Sequence, residues 1–131
     1  MEGRLRSSLC VLLVDDHTET AEMLQVLLMR RGFVVMTACS IATALAAVDA
    51  WPIDVLVADI SLPDGSGNDL LRQLRAASEL KAIALSGLDR ASDIRRSREA
   101  GFDEHLSKPV AIDELVGALE RVRKGEGTWI E

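Results

Sequence analysis

Short apolar runs of strand length alternate with helical patterns five times along the chain, and this alternation limits the fold more than any other feature. Parallel neighbours need a crossover that a helix supplies, so repeated βα units point to a parallel sheet rather than to hairpins. Residues 9–14, 54–60 and 81–86 are nearly continuous apolar runs, as strands covered by helices on both faces must be, and are predicted at the centre of the sheet. Residues 34–37 and 104–107 form shorter runs, the second more polar, which suits edge strands with one open side. Helices are predicted near 18–31, 40–50, 66–77, 90–100 and 111–124, with Ser40 as an N-cap and Gly32 and Gly125 as stops.

The last helix places Ile112, Leu115, Val116, Leu119 and Val122 on one face. Its acidic start (Asp113, Glu114) and basic end (Arg121, Arg123, Lys124) match the helix dipole. In the fourth helix, Arg90, Asp93, Arg95, Arg96, Arg98 and Glu99 leave Ile94 as the only large apolar anchor, so this helix is expected to be loosely held. The expected fold is a doubly wound α/β domain of flavodoxin-like, (βα)5 form, with a five-stranded parallel sheet and helices on both faces.

With 131 residues the five units use nearly the whole chain, leaving 1–8 as an N-terminal tail and 125–131 as a C-terminal tail or linker stub around a domain at 9–124. A net charge of -6 opposes general binding to nucleic acid or anionic lipid. No apolar run is long enough to span a bilayer, and residues 1–8 lack the apolar region of a signal peptide, so a cytoplasmic location is expected. Cys10 and Cys39 have neither CxxC nor metal-site spacing and read as two reduced thiols.

In a doubly wound sheet, reactive side chains collect at the carboxyl ends of the strands. Asp15 and Asp16 follow the first run, Asp59 ends the third, Ser86 ends the fourth, and Lys108 closes the fifth. Three gathered carboxylates repel, each pair by about 4 kcal/mol at 4 Å with an effective dielectric near 20, so positive charge must be supplied. Lys108 supplies one, and hard oxygen ligands suit Mg²⁺, which points to a Mg²⁺-dependent phosphate site.

These residues resemble the response-regulator receiver domain of two-component signalling. Val14-Asp15-Asp16 is similar to that family's acidic pair, Asp59-Ile-Ser-Leu-Pro63-Asp-Gly-Ser-Gly67 to its phosphoacceptor loop, Ser86-Gly87 to its switch hydroxyl and small neighbour, and Lys108-Pro109 to its Lys-Pro. The separations, 43 residues from Asp16 to Asp59, 27 on to Ser86 and 22 on to Lys108, also follow the family pattern.

The resemblance implies a phosphoacceptor rather than an enzyme. A phosphoryl group would pass from a phosphohistidine, on a sensor histidine kinase or a histidine phosphotransfer protein, to Asp59. Asp15, Asp16, Asp59 and the backbone carbonyl of Ser61 would hold Mg²⁺, with Lys108 and Ser86 contacting the phosphoryl group and Gly87 leaving it space. The resemblance further implies a cis Lys108–Pro109 bond, output through the face from the fourth helix to the last, and a phosphorylation-dependent dimer or a downstream protein partner. The family's switch position, three residues before Lys108, usually holds Tyr or Phe; here it is His105, whose polar edge departs from the usual aromatic switch.

Other readings fare worse. Gly65-Ser66-Gly67 lacks the third glycine of a dinucleotide fingerprint, Leu70 standing in its place. No GxSxG elbow surrounds Ser86, which counts against a hydrolytic triad with His105. An aspartyl-phosphate phosphohydrolase would need a DxD pair on the first strand and a cap. A vestigial scaffold is at odds with an intact Asp59, Ser86 and Lys108. The histidine His17, next to the acidic pair, reads as polar filler at a helix entry, since an imidazole is a poor ligand for a hard cation. The remaining alternatives are a stand-alone receiver and the receiver segment of a larger regulator or hybrid sensor kinase.

Overall fold

The computed structural model describes residues 9–87 and 91–126. Five parallel strands, β1 (Cys10–Val14), β2 (Val34–Ala38), β3 (Val55–Asp59), β6 (Lys81–Ser86) and β7 (Glu104–Ser107), form one sheet in the order β2-β1-β3-β6-β7. The three nearly continuous apolar runs are the central strands, and the two shorter runs are the edges. Between them run α1 (Thr18–Arg30), α2 (Ile41–Ala50), α3 (Gly67–Arg75), α4 (Ala91–Ala100) and α5 (Ile112–Arg123). A small antiparallel ladder of β4 (Ser61–Leu62) and β5 (Gly65–Ser66), not anticipated from the sequence, sits between β3 and α3.

Alternation along the central strands divides their side chains between two cores, which is why the runs had to be apolar throughout. Val11, Leu13, Val57, Ile83 and Leu85 pack with Leu24 and Leu28 of α1 and Leu115, Leu119 and Val122 of α5. Leu12, Val14, Leu56, Ala58, Ala82 and Ala84 pack on the other face with Ile41 and Ala44 of α2, Leu70, Leu71 and Leu74 of α3, and Ala100 of α4. The predicted signals at the helix ends hold: Ser40 caps α2, and Gly32 and Gly125 take positive φ just past α1 and α5.

Two local expectations are revised. β7 is an edge strand with Ser107 exposed, but its Glu104 does not face water: it is 3% exposed and receives Nε and Nη2 of Arg121 at 2.7 and 2.8 Å, so the buried charge is neutralised from α5. In α4 the buried residues are Ser97 and Ala100, with Ile94 only half-buried. Small side chains and a polar contact to β7, rather than Ile94 alone, seat this helix. Arg90 and residues 1–8 and 127–131 of the expected tails lie outside the described residues.

Candidate functional site

Strand order reverses at β1, which lies between β2 and β3, and the carboxyl ends of β1 and β3 open there. Asp15, just beyond β1, is 1% exposed, and Asp59, the last residue of β3, is 5% exposed. Two carboxylates buried this deeply need a cation. Lys108, past the end of β7, brings Nζ to 2.9 Å from Asp59 Oδ2 and 3.1 Å from Asp15 Oδ2. Burial pushes the Lys108 pKa down, but hydrogen bonds and charge from Asp59 and Asp15 together outweigh it, so the net shift is upward and the ammonium stays charged.

Lys108 is aimed by its backbone. Its N–H donates to the Ser86 carbonyl at 2.9 Å, which ties the end of β7 to the end of β6, and the Lys108–Pro109 bond is cis. Ser86 is buried at the last position of β6, one residue beyond Leu85, the register partner of Asp59. Beside it a Cβ added at Gly87 would meet no atom of the described residues within 4 Å.

Asp16 is exposed on the same rim. A ligand atom from each of Asp15, Asp16, His17 and Asp59 falls within 4.8 Å of all the others. His17, expected to be polar filler, instead brings Nδ1 of its ring to 3.2 Å from Asp15 Oδ1 and 3.3 Å from Asp16 Oδ1. Only the fold could reveal that proximity, because the ring direction at a helix entry has no signature in the residue order. Counting Lys108 against the three carboxylates leaves two negative charges on a donor set dominated by carboxylate oxygens. That set fits a hard divalent cation such as Mg²⁺.

The segment after Asp59 turns back at once. The Ser61 N–H donates to Asp59 Oδ1 at 3.1 Å, fixing the carboxylate opposite Lys108. Gly67 opens α3 directly behind the strand, and a Cβ there would stand 2.4 Å from the Asp59 carbonyl oxygen, so only glycine lets α3 start so close. Ser66 accepts from the Asn68 N–H at 3.0 Å as the N-cap of α3. His105 is the remaining predicted residue. It faces α4 from β7, half-buried, with Nδ1 3.2 Å from the hydroxyl of the fully buried Ser97. Cys10 is half-buried and Cys39 exposed, and both are free thiols.

The family described as the response regulator receiver domain matches residues 11–120. The chain belongs to this family. It is 38% identical over 109 residues to the transcriptional regulatory protein KdpE of Mycobacterium tuberculosis, covering 83% of this chain and 48% of that protein. It is 31% identical over 114 residues to a 14.6 kDa protein of Leptolyngbya boryana, covering 85% and 87%. The chain spans about half the length of most of the curated relatives it matches.

Among solved structures, it superposes on a CheY-like receiver domain of Methanospirillum hungatei with a TM-score of 0.83 at 25% identity, covering 91% of this chain and 96% of that one. A response regulator of Burkholderia pseudomallei, solved with a phosphorylated aspartic acid, calcium ion and citrate, gives a TM-score of 0.80 at 25% identity, covering 91% and 73%. The domain is therefore a response-regulator receiver of two-component signalling with a CheY-like fold. Among the described residues no helix is long and apolar enough to cross a membrane.

Proposed function

We propose that this receiver accepts a phosphoryl group on Asp59 from a phosphohistidine of a sensor histidine kinase or a histidine phosphotransfer protein. The observation that carries the reading is Lys108 Nζ bridging Asp59 and the buried Asp15, at the centre of an acidic cluster. A carboxylate oxygen of Asp59 attacks phosphorus while the P–N bond breaks, and the departing imidazole nitrogen keeps the electron pair and takes a proton. Lys108 neutralises charge on the acyl phosphate, and the Ser86 hydroxyl donates to a phosphoryl oxygen. The Ser61 N–H keeps the carboxylate oriented during the attack.

Asp15, Asp16, Asp59 and the Ser61 carbonyl would hold Mg²⁺, which supplies further charge neutralisation when bound. The phosphorylated aspartate and calcium ion of the Burkholderia relative support this assignment. A groove lined by His17, Thr20, Met23, Lys108, Pro109 and Val110 adjoins Asp15 and offers the donor an approach.

Output runs through α4, β7 and α5. A charge of about -1.5 to -2 added at Asp59 draws on Ser86 and Lys108, which lead into β7, and biases the packing of α4. His105 takes the switch position and Ser97 is its partner in the resting state. Arg95, Arg96 and Arg98 present an exposed basic face for a protein partner or a second copy.

Because the chain covers about half of KdpE and similar relatives, a second reading makes it the input module of a larger regulator or hybrid kinase, with the same chemistry. The test is incubation with a small-molecule phosphodonor, with and without Mg²⁺, followed by intact mass. One phosphoryl group is expected with Mg²⁺ and none in Asp59→Asn; unchanged uptake by Asp59→Asn removes the proposal.

A further inference from the structure

The hairpin that follows Asp59 is fastened at its far end to a helix distant in sequence. The first four amides of a helix have no partner within it. In α2 all four are satisfied: the Ser40 N–H by Thr43 Oγ1 at 3.1 Å, the Thr43 N–H by Ser40 Oγ at 3.1 Å, and the Ile41 and Ala42 N–H groups by the two carboxylate oxygens of Asp64 at 2.8 and 3.1 Å. Asp64 belongs to the turn between β4 and β5, not to α2. The Ile41 N–H, chiefly, holds its carboxyl below the usual carboxylate range, so it stays ionised at the positive end of the helix dipole.

The next residue tightens the contact. Gly65 takes φ +149, a backbone conformation that L side chains rarely adopt, and a Cβ there would stand 2.8 Å from Ile41 Cδ1, so the hairpin packs closely against the first residue of α2. From Gly65 the ladder pairs Leu62 with Gly65 and Ser61 with Ser66, and the Ser61 N–H reaches Asp59 Oδ1. A continuous chain of contacts thus connects the start of α2 to the phosphoacceptor carboxylate.

From this geometry we infer that Asp64 is a positioning residue of the phosphoacceptor site: by tethering the hairpin to α2 it fixes Ser61, and through Ser61 the donor set at Asp59. The inference rests on the function proposed above. Loss of a group that orients metal ligands typically weakens metal binding by 10–100-fold. Asp64 acts through Ser61 rather than on a ligand side chain, so an effect of about tenfold, the low end of that range, is expected.

The experiment measures phosphoryl uptake by the full chain against Mg²⁺ concentration, together with urea unfolding, for Asp64→Ala, Asp64→Asn and Ser40→Ala. Asp64→Ala is expected to raise half-saturating Mg²⁺ about tenfold. Asp64→Asn, which keeps one acceptor, should fall between it and the parent. Ser40→Ala removes a cap from the same helix without touching the hairpin, so it should lower stability yet leave half-saturating Mg²⁺ within about twofold.

A parental Mg²⁺ requirement in Asp64→Ala, or an equal rise in Ser40→Ala, overturns the inference and leaves the function standing. If Asp64→Ala does not fold, Asp64→Asn decides by the same criterion. A parent that takes up no phosphoryl group at all removes the function and the inference together.

Discussion

Replacing Gly67 by alanine tests how closely α3 is built against the phosphoacceptor. The added Cβ would stand 2.4 Å from the Asp59 carbonyl oxygen and 3.2 Å from both the Asp59 carbonyl carbon and Ile60 Cα. All three are backbone atoms and cannot rotate away. Comfortable contacts lie near 3.5 Å or beyond, so the end of β3 and the start of α3 must part by about 1 Å. The Gly67 N–H bond to the Ile60 carbonyl, 2.8 Å long, is strained by the same movement.

Overpacking costs about 1–3 kcal/mol and a weakened hydrogen bond up to about 1 kcal/mol, whereas Gly→Ala in a helix gains about 0.5–1 kcal/mol. The net expectation is a loss of about 2 kcal/mol. With a urea m-value of about 1.5 kcal/mol/M, the unfolding midpoint followed by far-UV circular dichroism falls by about 1.3 M. Gly87→Ala, whose Cβ meets nothing within 4 Å among the described residues, serves as the control and should move the midpoint by less than about 0.3 M. A Gly67→Ala variant as stable as the parent, or more so, refutes the reasoning, because helix propensity alone would then have decided the outcome.

Arg121→Ala strands the buried Glu104 carboxylate and should cost about 3 kcal/mol in urea unfolding, against less than about 1 kcal/mol for Arg123→Ala, which frees only a surface pair with Glu120. Asp64 has a depressed pKa, so its contribution is complete above its ordinary value of 3.8 and is lost as pH falls through the folded value. The gap in Tm between the parent and Asp64→Asn should therefore stay constant from about pH 7 to pH 5 and close below about pH 4; equal gaps at pH 7 and pH 3 contradict the cap. Mg²⁺ at about 100 times its Kd should raise unfolding free energy by about 2.7 kcal/mol in the parent, and thermal melts of Asp15→Asn and Asp59→Asn should show little of that gain.

The layering was legible because burial on both faces demands unbroken apolar runs, and Val11 to Val14 or Ala82 to Leu85 could belong only to central strands. Candidate site residues could be picked out for a related reason: Asp15, Asp59, Ser86 and Lys108 end or follow strand runs, at the rim where a doubly wound sheet gathers its chemistry. What stayed hidden depends on contacts between distant segments. Asp64 and Ile41 are 23 residues apart, and nothing in Pro63-Asp64-Gly65 beyond a turn signal indicates that the carboxylate caps another helix. Glu104 read as solvent-facing polarity because its partner, Arg121, lies on the next helix. The two-residue strands β4 and β5 are too short to show any periodicity.

The most direct test of the central claim is to locate the phosphoryl group chemically. The chain is phosphorylated with a small-molecule donor and Mg²⁺, reduced with borohydride, which converts an aspartyl phosphate to homoserine, and read by peptide mass spectrometry. Homoserine is expected at position 59 and at no other aspartate. Homoserine at position 15 or 16, or a stable phosphate ester on Ser86, would contradict it.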